Sequence, residues 1–261
     1  MKAVRHQLRL IAVAVQYFTR LPVPEFTEFD PRWLSQSARY FPLVGLLVGA
    51  ICAAALWLLG QCLPMPVASG LTLAIGIMVT GAFHEDGLAD TLDALGGSVP
   101  PERALEIMHD SRIGSYGAAA MVFGIGMRWV LLASLPLSLA CLSLLALHPA
   151  ARGGAVALMA RLRYVRSGAS KAKPVAQDLD RFDLFVAMLL ALLPALFIAV
   201  CWPALAPAMT AGLIGVGLAH LFCGRWFRQR IGGYTGDTLG CAEQLGEIAF
   251  LLGVLLALPL L

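Results

Sequence analysis

Charge is scarce in this chain. Of its 261 residues only 13% are Asp, Glu, Lys or Arg and 59% are hydrophobic, whereas a typical soluble domain is about 25% charged. That balance excludes an ordinary water-soluble enzyme. The formal net charge is only +3, so nucleic-acid binding through bulk charge has no support. The six cysteines form no C-x-x-C pair and mostly sit in apolar runs, which points to small packing residues rather than a zinc site or a disulfide framework. No G-x-S-x-G, H-E-x-x-H or G-x-G-x-x-G sequence is present, so serine-hydrolase, zinc-protease and dinucleotide chemistry lack their motifs. There is no internal repeat, and residues 1–261 read as a single integral membrane domain.

Long apolar runs fill the chain instead. A membrane-crossing helix needs about 20 mostly apolar residues, and seven runs approach that length: 40–62, 66–83, 116–134, 137–160, 184–203, 207–223 and 241–260. Pro64, Pro66, Pro136, Pro203 and Pro207 mark tight breaks between neighbours. The expected fold is therefore all-α, a polytopic membrane helix bundle of about seven transmembrane helices. Ahead of it, Lys2, Arg5 and Arg9 precede a short apolar stretch with no clear cleavage site, which predicts an N-terminal interfacial, partly amphipathic helix that stays on the protein.

Seventeen of the nineteen Lys and Arg residues fall before the first run or in the loops 84–115, 161–183 and 224–240, and the other two, Arg128 and Arg152, lie inside spans. The positive-inside rule puts these alternate loops and the N-terminus in the cytoplasm and the C-terminus outside. All sixteen Asp and Glu residues lie on the same side or just inside the membrane from it. Chemistry is expected on that face, with the lipid bilayer as the main partner.

Three segments on that face carry chemistry. In the first, Asp86, Asp90 and Asp93 are spaced i, i+4, i+7 and share a helical face, adjoined by His84 and Glu85. Like charges on one stripe repel, and a bound cation relieves the repulsion; oxygen ligands favour Mg²⁺, Mn²⁺ or Ca²⁺ over zinc. In the second, Asp110 is placed to complete a metal site and Arg112 to grip a phosphate. Gly114, Ser115 and Gly117 would leave backbone N–H groups open at a helix start. A capped turn with an internal Asp110–Arg112 pair is the competing reading. In the third, Gly232, Gly233 and Gly236 permit a tight loop, with Thr235 in it and Asp237 near a helix start. Asp237, Gln244 and Glu247 share a face there, and Glu247 should point into the bundle and find a partner.

The basic loop with Lys171 and Lys173 suits a phosphorylated substrate or anionic lipid equally well. Arg152, inside a span, calls for an acid or a substrate phosphate. His6, His148 and His220 are isolated and read as structural. Metal plus phosphate is the simplest chemistry that uses all three segments: the metal neutralises a diphosphate and a carboxylate takes a proton from an attacking hydroxyl.

Phe18-Thr-Arg-Leu-Pro-Val-Pro24, Tyr40-Phe-Pro-Leu-Val-Gly45, His84-Glu-Asp-Gly-Leu-Ala-Asp90, Asp110-Ser-Arg-Ile-Gly-Ser-Tyr-Gly117 and Gly232-Gly-Tyr-Thr-Gly-Asp-Thr-Leu-Gly240 occur in this order along nearly the whole chain. Together they resemble the motifs of the cobalamin synthase family, the adenosylcobinamide-GDP ribazoletransferases. One departure is Glu243-Gln244, where the usual pattern has two adjacent glutamines. The resemblance implies an Mg²⁺-dependent enzyme of the bacterial inner membrane, its active site facing the cytoplasm. Such an enzyme joins adenosylcobinamide-GDP to α-ribazole or its 5′-phosphate and releases GMP. It leaves open self-association or association with other cobalamin-assembly enzymes. Carried onto this sequence, it makes Glu85, Asp86, Asp90, Asp93, Asp110 and Asp237 the candidate metal ligands, with Asp86, Asp90 and Asp237 the candidate catalytic residues. His84, Arg112, Ser115, Arg152, Lys171 and Thr235 are the candidate substrate contacts.

Two other classes compete. A CDP-alcohol phosphotransferase would use a D-G-x-x-A-R core, and Asp86-Gly-Leu-Ala-Asp90 has no arginine after its alanine. A transporter would spread charges along several span centres, and only Arg128, Arg152 and Glu247 approach that pattern.

Overall fold

A computed structural model describes residues 2–24, 30, 32–166 and 179–260. The described residues form a helical bundle whose elements follow the apolar runs. Helix α1 is Lys2–Phe18, α2 is Arg32–Ser37 and α3 is Phe41–Gly60. They are followed by α4 (Met65–Thr80), α5 (Phe83–Leu95), α6 (Pro101–Ile107) and α7 (Ser115–Ala133). The last four are α8 (Leu137–Arg161), α9 (Arg181–Cys201), α10 (Ala206–Ile231) and α11 (Gly236–Ala257). Prolines sit in the first turn of α3, α4, α6 and α10, where their missing N–H is no loss and their fixed φ favours the helix.

Six helical segments are long and apolar enough to cross a membrane, and a seventh span arises if α4 and α5 are taken together. That pair is bent by 89°. The bend sits at Gly81 and Ala82, both left-handed with φ of 69° and 59°. The sequence reading ends the second span at 83 and leaves this turn unseen. Gly81 tolerates the conformation because it lacks Cβ, and a Cβ there would also lie 2.4 Å from Nε of Arg20.

Helix α1 matches the expected interfacial element: Leu10, Val13, Ala14 and Phe18 form one buried edge, while Val4 and Leu8 are exposed. On α9, Phe185, Leu189, Leu193 and Leu196 are more than half exposed, an apolar surface that suits lipid and not water. Two span ends move relative to the sequence expectation. Helix α10 continues to Ile231 because Cys223, Phe227 and Ile231 keep an i, i+4, i+8 buried edge through the arginine-rich stretch. Helix α11 starts at Gly236, so the expected loop at 224–240 shrinks to four residues, Gly232–Thr235.

Glycines set the closest helix contacts. Gly45 and Gly49 of α3 lie against the α8 backbone, where a Cβ would come within 2.6 Å of the His148 carbonyl and 2.4 Å of the Leu144 carbonyl. This small-xxx-small pairing lets two backbones touch in a membrane. It also fixes α8, and with it the inward direction of His148 and Arg152.

Candidate active site

A second backbone approach brings the acids together. A Cβ on Gly87 of α5 would stand 2.7 Å from the carbonyl oxygen of Asp237 in α11, and one on Gly240 would stand 3.3 Å from Cα of His84. With α5 and α11 this close, Asp86, Asp93 and Asp237 become the acidic neighbours of Asp90. Asp86 is exposed, and Asp90 and Asp237 are half-buried. Asp237 sits in the first turn of α11, where the helix dipole favours a carboxylate. Thr235 caps that turn: its hydroxyl accepts from the Thr238 N–H, and Thr238 returns the bond to the Thr235 N–H at 2.8 Å.

Among the described residues one cation reaches the cluster. Arg166 lies 3.3 Å from Asp237 Oδ2 and donates to His109 Nδ1 at 3.0 Å. Its backbone is held by a short parallel bridge, in which Tyr234 N–H donates to the Arg163 carbonyl at 2.8 Å and Val165 N–H to the Tyr234 carbonyl at 3.0 Å. Gly233 permits this contact, since a Cβ would collide with the Arg163 carbonyl. Arg230 closes the far end of α5 by donating to the Leu95 and Gly97 carbonyls at 2.8 and 2.5 Å.

Below the acids lies a second, fully buried set of charges. Arg128 of α7 bonds Glu85 at 2.7 Å and Glu247 at 2.8 Å, and Glu247 also meets His148 Nδ1 at 2.5 Å. Arg152 pairs with Glu243 at 2.8 Å, and His84 Nε2 stands 2.6 Å from the same carboxylate. Every one of these side chains is at most a tenth exposed. Arg128 is about 20 Å along α7 from Ser115, at 1.5 Å per residue. The network thus ties α5, α7, α8 and α11 together inside the apolar part of the bundle.

The candidate residues from the sequence fall into distinct places. Asp86, Asp90 and Asp237 meet in the α5–α11 cluster. Asp93 turns to α7 instead: its oxygens accept from the N–H groups of Gly114 and Gly117, both at 2.7 Å. The helix start expected to bind a substrate anion through the region of Ser115 is therefore occupied by a carboxylate of the chain itself. Asp110 is gripped by Arg112 through contacts of 2.5 to 3.1 Å. This hydrogen-bonded pair holds the Asp110 carboxyl low, at about 2, so it is ionised at neutral pH and Arg112 is already engaged. Glu85, His84 and Arg152 belong to the buried network, and Thr235 is a buried cap. Lys171 lies outside the described residues.

Arg128, His148 and Glu243 take network roles that sequence reasoning does not assign. The signal available for Arg128 was a charge isolated within an apolar run, which demands a partner. Arg166 was visible only as one member of a basic loop.

Among the described residues, no three His, Cys, Asp or Glu side chains stand close enough together to hold an ion by themselves. The donor set nonetheless suits Mg²⁺. That ion takes one or two carboxylates and completes its shell with water and substrate phosphate oxygens, and Asp86, Asp90 and Asp237 supply only hard oxygen ligands.

Known proteins are similar to this chain over nearly its whole length. The adenosylcobinamide-GDP ribazoletransferase of Leptothrix cholodnii is 47% identical over 259 residues, 97% of both chains. The proteins of the same name from Ralstonia pickettii and Shewanella frigidimarina are each 43% identical, covering 98% and 95% of both chains. No solved structure matches this chain. The cobalamin-5-phosphate synthase family model matches residues 10–255, and this multi-pass membrane protein belongs to that family.

Proposed function

We propose that the protein transfers adenosylcobinamide phosphate from adenosylcobinamide-GDP to α-ribazole or its 5′-phosphate. The observation that carries the proposal is the meeting of Asp86, Asp90 and Asp237 on touching helices, in a chain whose relatives bear the ribazoletransferase name. A ribose hydroxyl oxygen forms a bond to the phosphorus on the cobinamide arm, the bridging P–O bond breaks, and GMP leaves with the electron pair. One or two of Asp86, Asp90 and Asp237 would hold Mg²⁺, which would supply neutralisation of the diphosphate charge. A carboxylate of the cluster accepts the proton of the attacking hydroxyl. Arg166, the cation beside Asp237, grips phosphate oxygens. The buried network below keeps α5 and α11 in register, so that the carboxylates stay opposed.

Purified protein is expected to release GMP only when adenosylcobinamide-GDP, α-ribazole and Mg²⁺ are all present, and to stop in excess chelator. Arg166→Ala should lower kcat/KM by roughly ten- to a hundredfold, the scale of a lost charge-assisted contact to phosphate. Steady-state kinetics check this, and an unchanged kcat/KM would remove Arg166 from the site.

The basic loops favour a bacterial inner-membrane protein with this site in the cytoplasm. Cys62 and Cys201 are exposed at the opposite ends of α3 and α9. Both should react with an impermeant maleimide added to the periplasmic side. Labelling only after the membrane is opened would reverse the orientation.

A further inference from the structure

Next to the acid cluster, the end of α1, the start of α3 and the first turns of α5 and α11 enclose a narrow slot of about 40 Å³, about 500 Å³ with its mouth included. Its walls are largely aromatic: Tyr17, Phe18, Phe41, Phe83 and Tyr234, with His84 among them, and α8 closes one side with the Arg152–Glu243 ion pair at its edge. Tyr17 and Phe41 are parallel to within 2°, and Phe18 and His84 stack at 13° with ring centres 5.6 Å apart. So small a volume behind so wide an apolar lining favours a flat ligand over a globular one. Gly236 and Gly240, on either side of Asp237, belong to the lining, so a ligand held here ends beside the carboxylates.

Of the wall's buried polar side chains, His84 and Arg152 both pair with Glu243, which leaves the Tyr234 hydroxyl as the one with no ion-pair partner among the described residues. Tyr234 is 2% exposed, and its hydroxyl has no hydrogen-bond partner among the described residues. Buried hydroxyls are rarely left so. Burial also pushes the phenol's pKa upward, so it remains a neutral O–H, able to donate. The phosphoryl chemistry at Asp86, Asp90 and Asp237 makes no use of it.

We propose that this slot takes the benzimidazole base of the α-ribazole acceptor, with Tyr234 Oη donating to the ring nitrogen that does not carry the ribose. The proposal rests on the transferase reading above. The base is planar and largely apolar and has a single acceptor nitrogen, which matches an aromatic slot whose tyrosine hydroxyl is free to donate. Its ribose then emerges at Gly236 and Gly240, within reach of Asp237.

Tyr234→Phe in the full-length protein tests the assignment. The KM for α-ribazole is expected to rise roughly five- to tenfold, the scale of one lost hydrogen bond. The KM for adenosylcobinamide-GDP and the Tm should not change, because the hydroxyl bonds nothing among the described residues. Ala155→Trp, which fills the slot from α8, should abolish saturation by α-ribazole while equilibrium dialysis still finds adenosylcobinamide-GDP bound. Dialysis of α-ribazole against wild type and Tyr234→Phe makes the comparison without turnover. Equal α-ribazole affinity in variants that still release GMP overturns the slot and leaves the transferase reading standing. No GMP release by folded wild-type protein overturns the transferase reading and, with it, the slot.

Discussion

Replacing Asp237 by asparagine is expected to lower turnover by roughly a hundred- to a thousandfold, the usual loss when one preorganised electrostatic partner is removed. The expected loss is large because Asp237 has three roles at once. It faces Asp86 and Asp90 across the α5–α11 contact, it would ligate the metal, and it positions Arg166. Stability should not fall with activity. The Thr235–Thr238 backbone cap remains, the Thr235 hydroxyl that donates to Asp237 Oδ2 at 3.3 Å can donate to the amide oxygen instead, and losing one of several clustered like charges relieves repulsion. Activity measured alongside a thermal melt separates these effects. Wild-type turnover in Asp237→Asn would sink the metal-site proposal, and a collapsed melt would show that Asp237 is structural.

Arg128→Ala should do the reverse, destabilising the protein by about 3–5 kcal/mol, the cost of leaving buried charges unpaired. Arg128 faces two carboxylates, Glu85 and Glu247, from different helices, and none of the three contacts water appreciably. Without it, α5 loses its tie to α7 and α11, and the acid cluster loses its frame. Loss of activity would therefore follow loss of fold. Combining Arg128→Met with Glu85→Gln and Glu247→Gln removes the charges together and should restore much of the stability, because a neutral, packed replacement of a buried ion pair is often tolerated. Denaturation in detergent checks both variants. A single variant as stable as wild type would mean that the network contributes little.

Much of this was legible in the chain. Apolar runs located the spans, since a membrane leaves a helix little choice of length, and the spacing of Asp86 and Asp90 on one face was visible from helical geometry alone. Two features were not. The 89° turn at Gly81–Ala82 depends on a left-handed alanine, a conformation with no sequence signature at a non-glycine residue. The fate of Asp93 depends on where α7 begins: with Gly114 and Gly117 beside it, it caps that helix. From spacing alone it is indistinguishable from Asp86 and Asp90. His148 looked isolated because Glu247, its partner, is 99 residues away, a separation that no local pattern bridges.

The most direct test follows the phosphorus. Adenosylcobinamide-GDP labelled at the cobinamide-side phosphate is incubated with purified protein, α-ribazole and Mg²⁺. The label is expected in the corrinoid product joined to ribazole, with unlabelled GMP released in equal amount. Label in the released nucleotide, or no transfer by folded protein, would contradict the account.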